Sequence, residues 1–181
     1  MKRTLLSSLL LFLLPTTIAN SPHSADPTFT LHNITYNITE IYRSPSFFAI
    51  HDATVSYHLT NSALSYTTQC SAHSSHIYGY FYGGFFNDFF PCDPPPSGVG
   101  AGAVANFTFN AADYSFGVNQ TWNLDGVNYI GMGSGLSHLD CRHEYWTNDH
   151  WTEGQDYSTN LWWCVSHVDV EITVTVSRVE V

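Results

Sequence analysis

Val168-Asp169-Val170-Glu171-Ile172-Thr173-Val174-Thr175-Val176 puts an apolar residue at every even position and a polar one at every odd position. A period of two sends one set of side chains to a core and the other to water, so from Cys164 onward the chain reads as a half-buried strand. The same alternation recurs upstream. Ala53, Val55, Tyr57 and Leu59 share a face, and after Thr60-Asn61-Ser62-Ala63 the phase resumes at Leu64, Tyr66, Thr68 and Cys70, the pattern of a hairpin. Tyr114, Phe116, Val118, Trp122 and Leu124 lead into Asp125-Gly126, the favoured pair for a two-residue hairpin turn, and Val127 and Tyr129 follow it. No stretch sustains a helical period, and Pro94-Pro95-Pro96 with Gly98, Gly100 and Gly102 reads as a loop. The expected fold is all-β: one compact antiparallel β-barrel or sandwich.

The start of the chain predicts export. Met1-Lys2-Arg3 is a charged segment, Leu5 to Leu14 an apolar one, and Thr17-Ile18-Ala19 has small residues at cleavage spacing, so residues 1–19 read as a signal peptide and 20–181 as a single secreted domain. The apolar run is shorter than the roughly 20 residues that span a bilayer. Four glycan acceptor sequences fit the same route, at Asn33, Asn37, Asn106 and Asn119. A glycosylated Asn must face solvent, and local alternation puts each of the four there. Asn33 and Asn37 oppose Ile34, Tyr36 and Ile38, Asn106 opposes Ala105 and Phe107, and Asn119 opposes Val118, leaving Gln120 as a polar interruption of the inner face. Four cysteines, Cys70, Cys92, Cys141 and Cys164, read as two disulfides in an exported chain. Three connectivities are open; the local one would tie off two irregular loops.

The whole chain carries a formal charge of −10, and without its leader it keeps three arginines, Arg43, Arg142 and Arg178, against fifteen acids and no lysine. That balance argues against nucleic acid and anionic membranes as partners. Ten histidines would offset much of the negative charge in an acidic fluid.

Chemistry has to be sought in the two cysteine-bounded segments. In His76 to Phe90, Tyr78, Tyr80 and Tyr82 alternate on one face with Phe81 on the other. Such aromatics build a core, or a contact surface for sugars, small aromatic compounds or a protein; the three tyrosines are the candidate binding surface. Leu139 to Trp163 holds Asp140, His143, Glu144, Asp149, His150, Glu153 and Asp156 among Trp146, Trp151, Trp162 and Trp163. Two histidines and a carboxylate can hold a divalent metal, but His143-x6-His150 matches no ligand spacing, so a solvated, tethered loop and no metal is the reading. No hydrolase elbow, zinc-protease motif or phosphate-binding frame is present, so no catalytic residue and no cofactor is assigned. Nothing in the chain specifies an oligomeric state.

Thr67-Thr68-Gln69-Cys70-Ser71-Ala72, Asp140-Cys141-Arg142, Trp163-Cys164-Val165 running on to Ile172-Thr173, and Ile38-Thr39-Glu40-Ile41-Tyr42-Arg43 resemble the small secreted fungal proteins similar to the major Alternaria allergen. The pieces span roughly Thr28 to Val181. The resemblance implies a compact β-barrel with disulfides Cys70–Cys92 and Cys141–Cys164, and a non-enzymatic role of effector, elicitor or allergen type that recognises a host protein or a small phenolic ligand. This chain departs from the pattern in lacking an extra N-terminal cysteine of the kind that joins some members covalently, in the expansion of both cysteine-bounded loops, and in the aromatic content of the first. Partner residues therefore do not carry over. The rival expectation is an extracellular carbohydrate-active hydrolase using acids of the second loop, which needs two carboxylates about 5–9 Å apart. A carrier of small ligands would need an apolar cavity of a few hundred Å³.

Overall fold

The computed structural model describes residues 26–45, 49–75, 81, 89–97 and 102–179. Eleven strands follow one another within them: β1 (Thr28–Tyr42), β2 (Ile50–Asn61), β3 (Thr67–Ser74), β4 (Phe90–Pro91), β5 (Val104–Asn110), β6 (Ser115–Leu124), β7 (Val127–Leu136), β8 (Asp140–Thr147), β9 (Ser158–Val165), β10 (Val170–Thr173) and β11 (Thr175–Val179). They form two antiparallel sheets. One runs β3-β2-β1-β9-β8 with β10 also paired to β1, and the other β11-β7-β6-β5-β4. The fold is a sandwich of these two sheets, not one closed barrel.

Where a strand has one face to bury, its alternation is realised residue by residue. Ala53, Val55, Tyr57 and Leu59 are buried on β2, and β3 folds back on it from Thr60↔Thr67 to Ala53↔Ser74. Phe116, Val118, Gln120 and Trp122 are buried on β6. The Asp125-Gly126 turn to β7 has φ of 51° and 79°, the doubly left-handed conformation of a tight hairpin, and the Gly126 N–H donates to Asn123 Oδ1 at 3.2 Å.

The stretch from Cys164 to Val176 is three strands, not one. β9 and β10 lie end to end along β1, and β11 leaves for the opposite sheet to pair with β7. The break between β9 and β10 falls level with a bulge in β1, where Asn33 and Ile34 together oppose Tyr57. Asn33 takes the left-handed conformation there, φ 53°, which asparagine tolerates better than most residues. The bulge switches the inward phase of β1 from Phe29 and Leu31 to Ile34 and Tyr36. Its neighbour loops out over 166–169, with the Ser166 N–H donating to Ile34 O at 2.9 Å, and Val168 is 65% exposed instead of buried.

Two devices hold the sheets together. On one side the chain crosses from β10 to β11 against alternate glycines of β7, where a Cβ on Gly133 would lie 2.6 Å from the Thr173 carbonyl oxygen and one on Gly131 2.7 Å from Val174 Cγ1. On the other side the Cys70–Cys92 disulfide ties β3 to the residue after β4. Between them Tyr57 meets Phe107 and Phe116 edge-on at 5.1 and 5.3 Å, and Tyr36 meets Phe109 at 5.1 Å. Burial pushes the Tyr57 phenol well above the usual tyrosine range. The buried Gln120 accepts a 2.9 Å hydrogen bond from Asn61 Nδ2 across the sandwich, so its polar carbonyl is not orphaned in the core.

Candidate recognition surface

The signal segment and Tyr78, Tyr80 and Tyr82 lie outside the described residues. Phe81 between those tyrosines is buried, packed edge-on against Tyr36, Phe90 and Phe109, and its carbonyl accepts from the Ala111 N–H at 3.0 Å. Asn33 is exposed on the β1 bulge, while Asn37, Asn106 and Asn119 are half-buried on outward strand positions. Asn106 and Asn119 are direct cross-strand partners, a proximity that two separate strand readings do not reveal.

The second cysteine-bounded segment is not an irregular loop. It is the β8–β9 hairpin, with the Cys141–Cys164 disulfide joining directly opposed residues near its base. Residues 148–157 cap it. Asn148 Nδ2 donates to Gln155 Oε1 at 3.1 Å, Trp151 Nε1 donates to Gln155 O at 2.9 Å, and Trp151 meets Tyr157 edge-on. The hairpin is fixed to the sandwich by β9 along β1, by the Tyr157 N–H donating to Tyr42 O, and by Arg43 against Asp156 at 3.1 Å. β8 escaped sequence reading because it is an edge strand exposed from Asp140 to Trp146, with no buried face to impose alternation.

Two faces result. The outward one carries Trp163, Leu161 and Thr159 from β9 beside Arg142, Glu144 and Trp146 from β8. Arg142 Nη2 and Glu144 Oε1 pair at 2.7 Å, Trp146 is 51% exposed, and an open groove of about 340 Å³ runs between Trp146, Glu144, Thr159 and Leu161. The other face continues the core side of the sheet as a polar row across four strands. His51 Nδ1 lies 3.6 Å from Glu40 Oε1, Asn160 Nδ2 donates to Glu40 Oε2 at 3.0 Å, and Asn160 Oδ1 lies 3.3 Å from His143 Nε2. The His143 ring stacks on Trp162 at 4.5 Å, and Tyr145 stands opposite Asn160, 61% exposed. Glu40 and His51 keep only 18% and 17% of their side chains exposed. Burial raises the Tyr42 phenol pKa, and the charge and hydrogen bond of Glu40 raise it further. This row was missed from sequence, although Glu40 continues the inward phase of Ile34, Tyr36 and Ile38.

The other acids of the segment are dispersed. Asp140 lies 3.5 Å from His138 and 3.3 Å from His167, and Asp156 answers Arg43. Among the described residues no three histidine, cysteine or acidic side chains gather as a metal site. Asp113, whose hydrogen bonds to Ser115 hold its carboxyl below the usual range, lies at the β5–β6 turn and shifts opposite to a general acid. Chemically the hairpin offers aromatic rings, a short ion pair and a ready-made hydrogen-bonding row, the equipment of binding.

Against known proteins, the model of the AltA1 family, Alternaria alternata allergen 1, matches residues 48–164. No curated protein and no solved structure matches the chain.

Proposed function

This chain belongs to the AltA1 family, and on that premise we propose that it is a secreted, glycosylated, non-enzymatic binding protein of effector, elicitor or allergen-like type. It acts by recognising a host extracellular protein or a small aromatic ligand. The observation that carries the reading is the β8–β9 hairpin, a disulfide-braced edge element that leaves Tyr145 and Trp146 exposed while buried rings fill the core elsewhere. Exposed Tyr and Trp beside Arg are the residue types that dominate binding energetics. They stand on rigid strands, which lowers the entropic cost of binding.

The test is capture from host extracellular fluid with the secreted protein, comparing wild type with Tyr145→Ala/Trp146→Ala. Truncating a hot-spot aromatic costs about 2 kcal/mol or more, roughly thirtyfold in affinity. Both side chains are solvent-exposed, so the melting midpoint should stay near wild type while a specific partner is lost. Equal capture by both proteins would remove the hairpin from the reading, and turnover of a polysaccharide by the purified protein would favour a hydrolase instead.

A further inference from the structure

We propose that an N-linked glycan on Asn37 packs its first sugar on the indole of Trp163, on the outward face where β1 and β9 meet. This rests on the reading of the chain as exported and glycosylated, and it takes Trp163 out of the surface open to a partner while leaving Tyr145 and Trp146 in it.

Asn37 and Trp163 are direct partners in the β1–β9 register. Side chains of opposed residues in an antiparallel pair project from the same face with Cβ atoms about 4.5–5.5 Å apart. A sugar on Asn37 Nδ2 therefore begins within reach of the indole. The face is outward on both strands, since the alternating neighbours Tyr36 and Cys164 are buried while Trp163 is 40% exposed. The axial C–H groups of a pyranose carry partial positive charge, and the indole face is the electron-rich side of the ring. The other sequons lack this partner: Asn119 stands between Asn106 and Met132, Asn106 between Asn119 and Pro91, and Asn33 sits in the bulge without a cross-strand partner in the β1–β2 and β1–β9 registers. Thr39, the acceptor hydroxyl of the Asn37 sequon, lies beyond Asn37 on the same face, opposite Leu161.

The experiment is oxidative footprinting of the full-length chain secreted from a eukaryotic host, read tryptophan by tryptophan by peptide mass spectrometry, with glycopeptide analysis of all four sequons. Asn37→Gln and, independently, Thr39→Ala remove the site by different atoms. Both should raise the oxidation rate of Trp163 severalfold and leave Trp151, in the hairpin cap, unchanged. An Asn37 that carries glycan while Trp163 oxidises as fast as in the variants overturns the proposal and leaves the export reading standing. A bare Asn37 beside three occupied sequons also overturns it alone, whereas four bare sequons overturn both.

Discussion

Gly133→Ala tests the way this sandwich is closed. A Cβ at residue 133 would stand 2.5 Å from Ile172 Cγ2 and 2.6 Å from the Thr173 carbonyl oxygen, both on the strand that crosses between sheets. Ile172 is fully buried among core side chains, and the carbonyl is backbone. Withdrawing Thr173 would drag Val174, whose Cγ1 occupies the place of a side chain at Gly131. One methyl must therefore lift the crossover as a unit. Overpacking of this kind costs about 1–3 kcal/mol. Alanine recovers only about 0.5–1 kcal/mol of the backbone entropy that glycine loses in a strand.

Gly117→Ala is the control. Its Cβ would also come within 2.6 Å of a neighbour, but that neighbour is Thr108 Oγ1, the end of a half-buried side chain that can rotate away. For a domain of this size about 1 kcal/mol moves the melting midpoint by roughly 2–4 °C. Gly133→Ala should melt several degrees below wild type, and Gly117→Ala should lie within a degree or two of it. Urea titration should reproduce the order with an unchanged slope. Equal midpoints for the two variants would refute the close crossover as what joins the sheets here.

Gln120→Leu should destabilise by about 1–3 kcal/mol in a urea titration, because the buried Asn61 amide loses its acceptor while the apolar replacement suits the site's volume. The two disulfides close chain segments of nearly equal length, 22 and 23 residues, so on loop entropy alone each contributes about 3 kcal/mol. Cys70→Ala/Cys92→Ala should nevertheless lower the melting midpoint further than Cys141→Ala/Cys164→Ala, since the first pair spans the two sheets and the second lies within one hairpin. The hairpin variant should instead become sensitive to proteolysis at residues 148–157, with the rest of the domain protected.

Why the strands of the sandwich were legible and the candidate surface was not comes down to what imposes a period of two. Burial on one side only selects Val55, Tyr57 and Leu59 against their polar neighbours, and a strand so selected announces itself. β8 has water on both sides from Asp140 to Trp146, so no such selection acts on it, and acids, histidines and aromatics follow each other without rhythm. The break after Cys164 was hidden for a different reason. β9, β10 and β11 keep one inward phase across a loop and a change of sheet, and phase says nothing about which strand lies alongside. Nor does phase reveal that Glu40 and Asn160, 120 residues apart, share a hydrogen bond. Two signals were there to be used. Glu40 sits in an inward phase set by three apolar residues, where a charge calls for a partner, and Gly131, Gly133 and Gly135 omit a side chain at every second position of a strand, which leaves room for another strand to come close. An ordered, cysteine-bounded segment rich in aromatics yet without periodicity is then better read as a strand with no core to serve than as a loop, and exposed rings held on such a strand remain available to a partner.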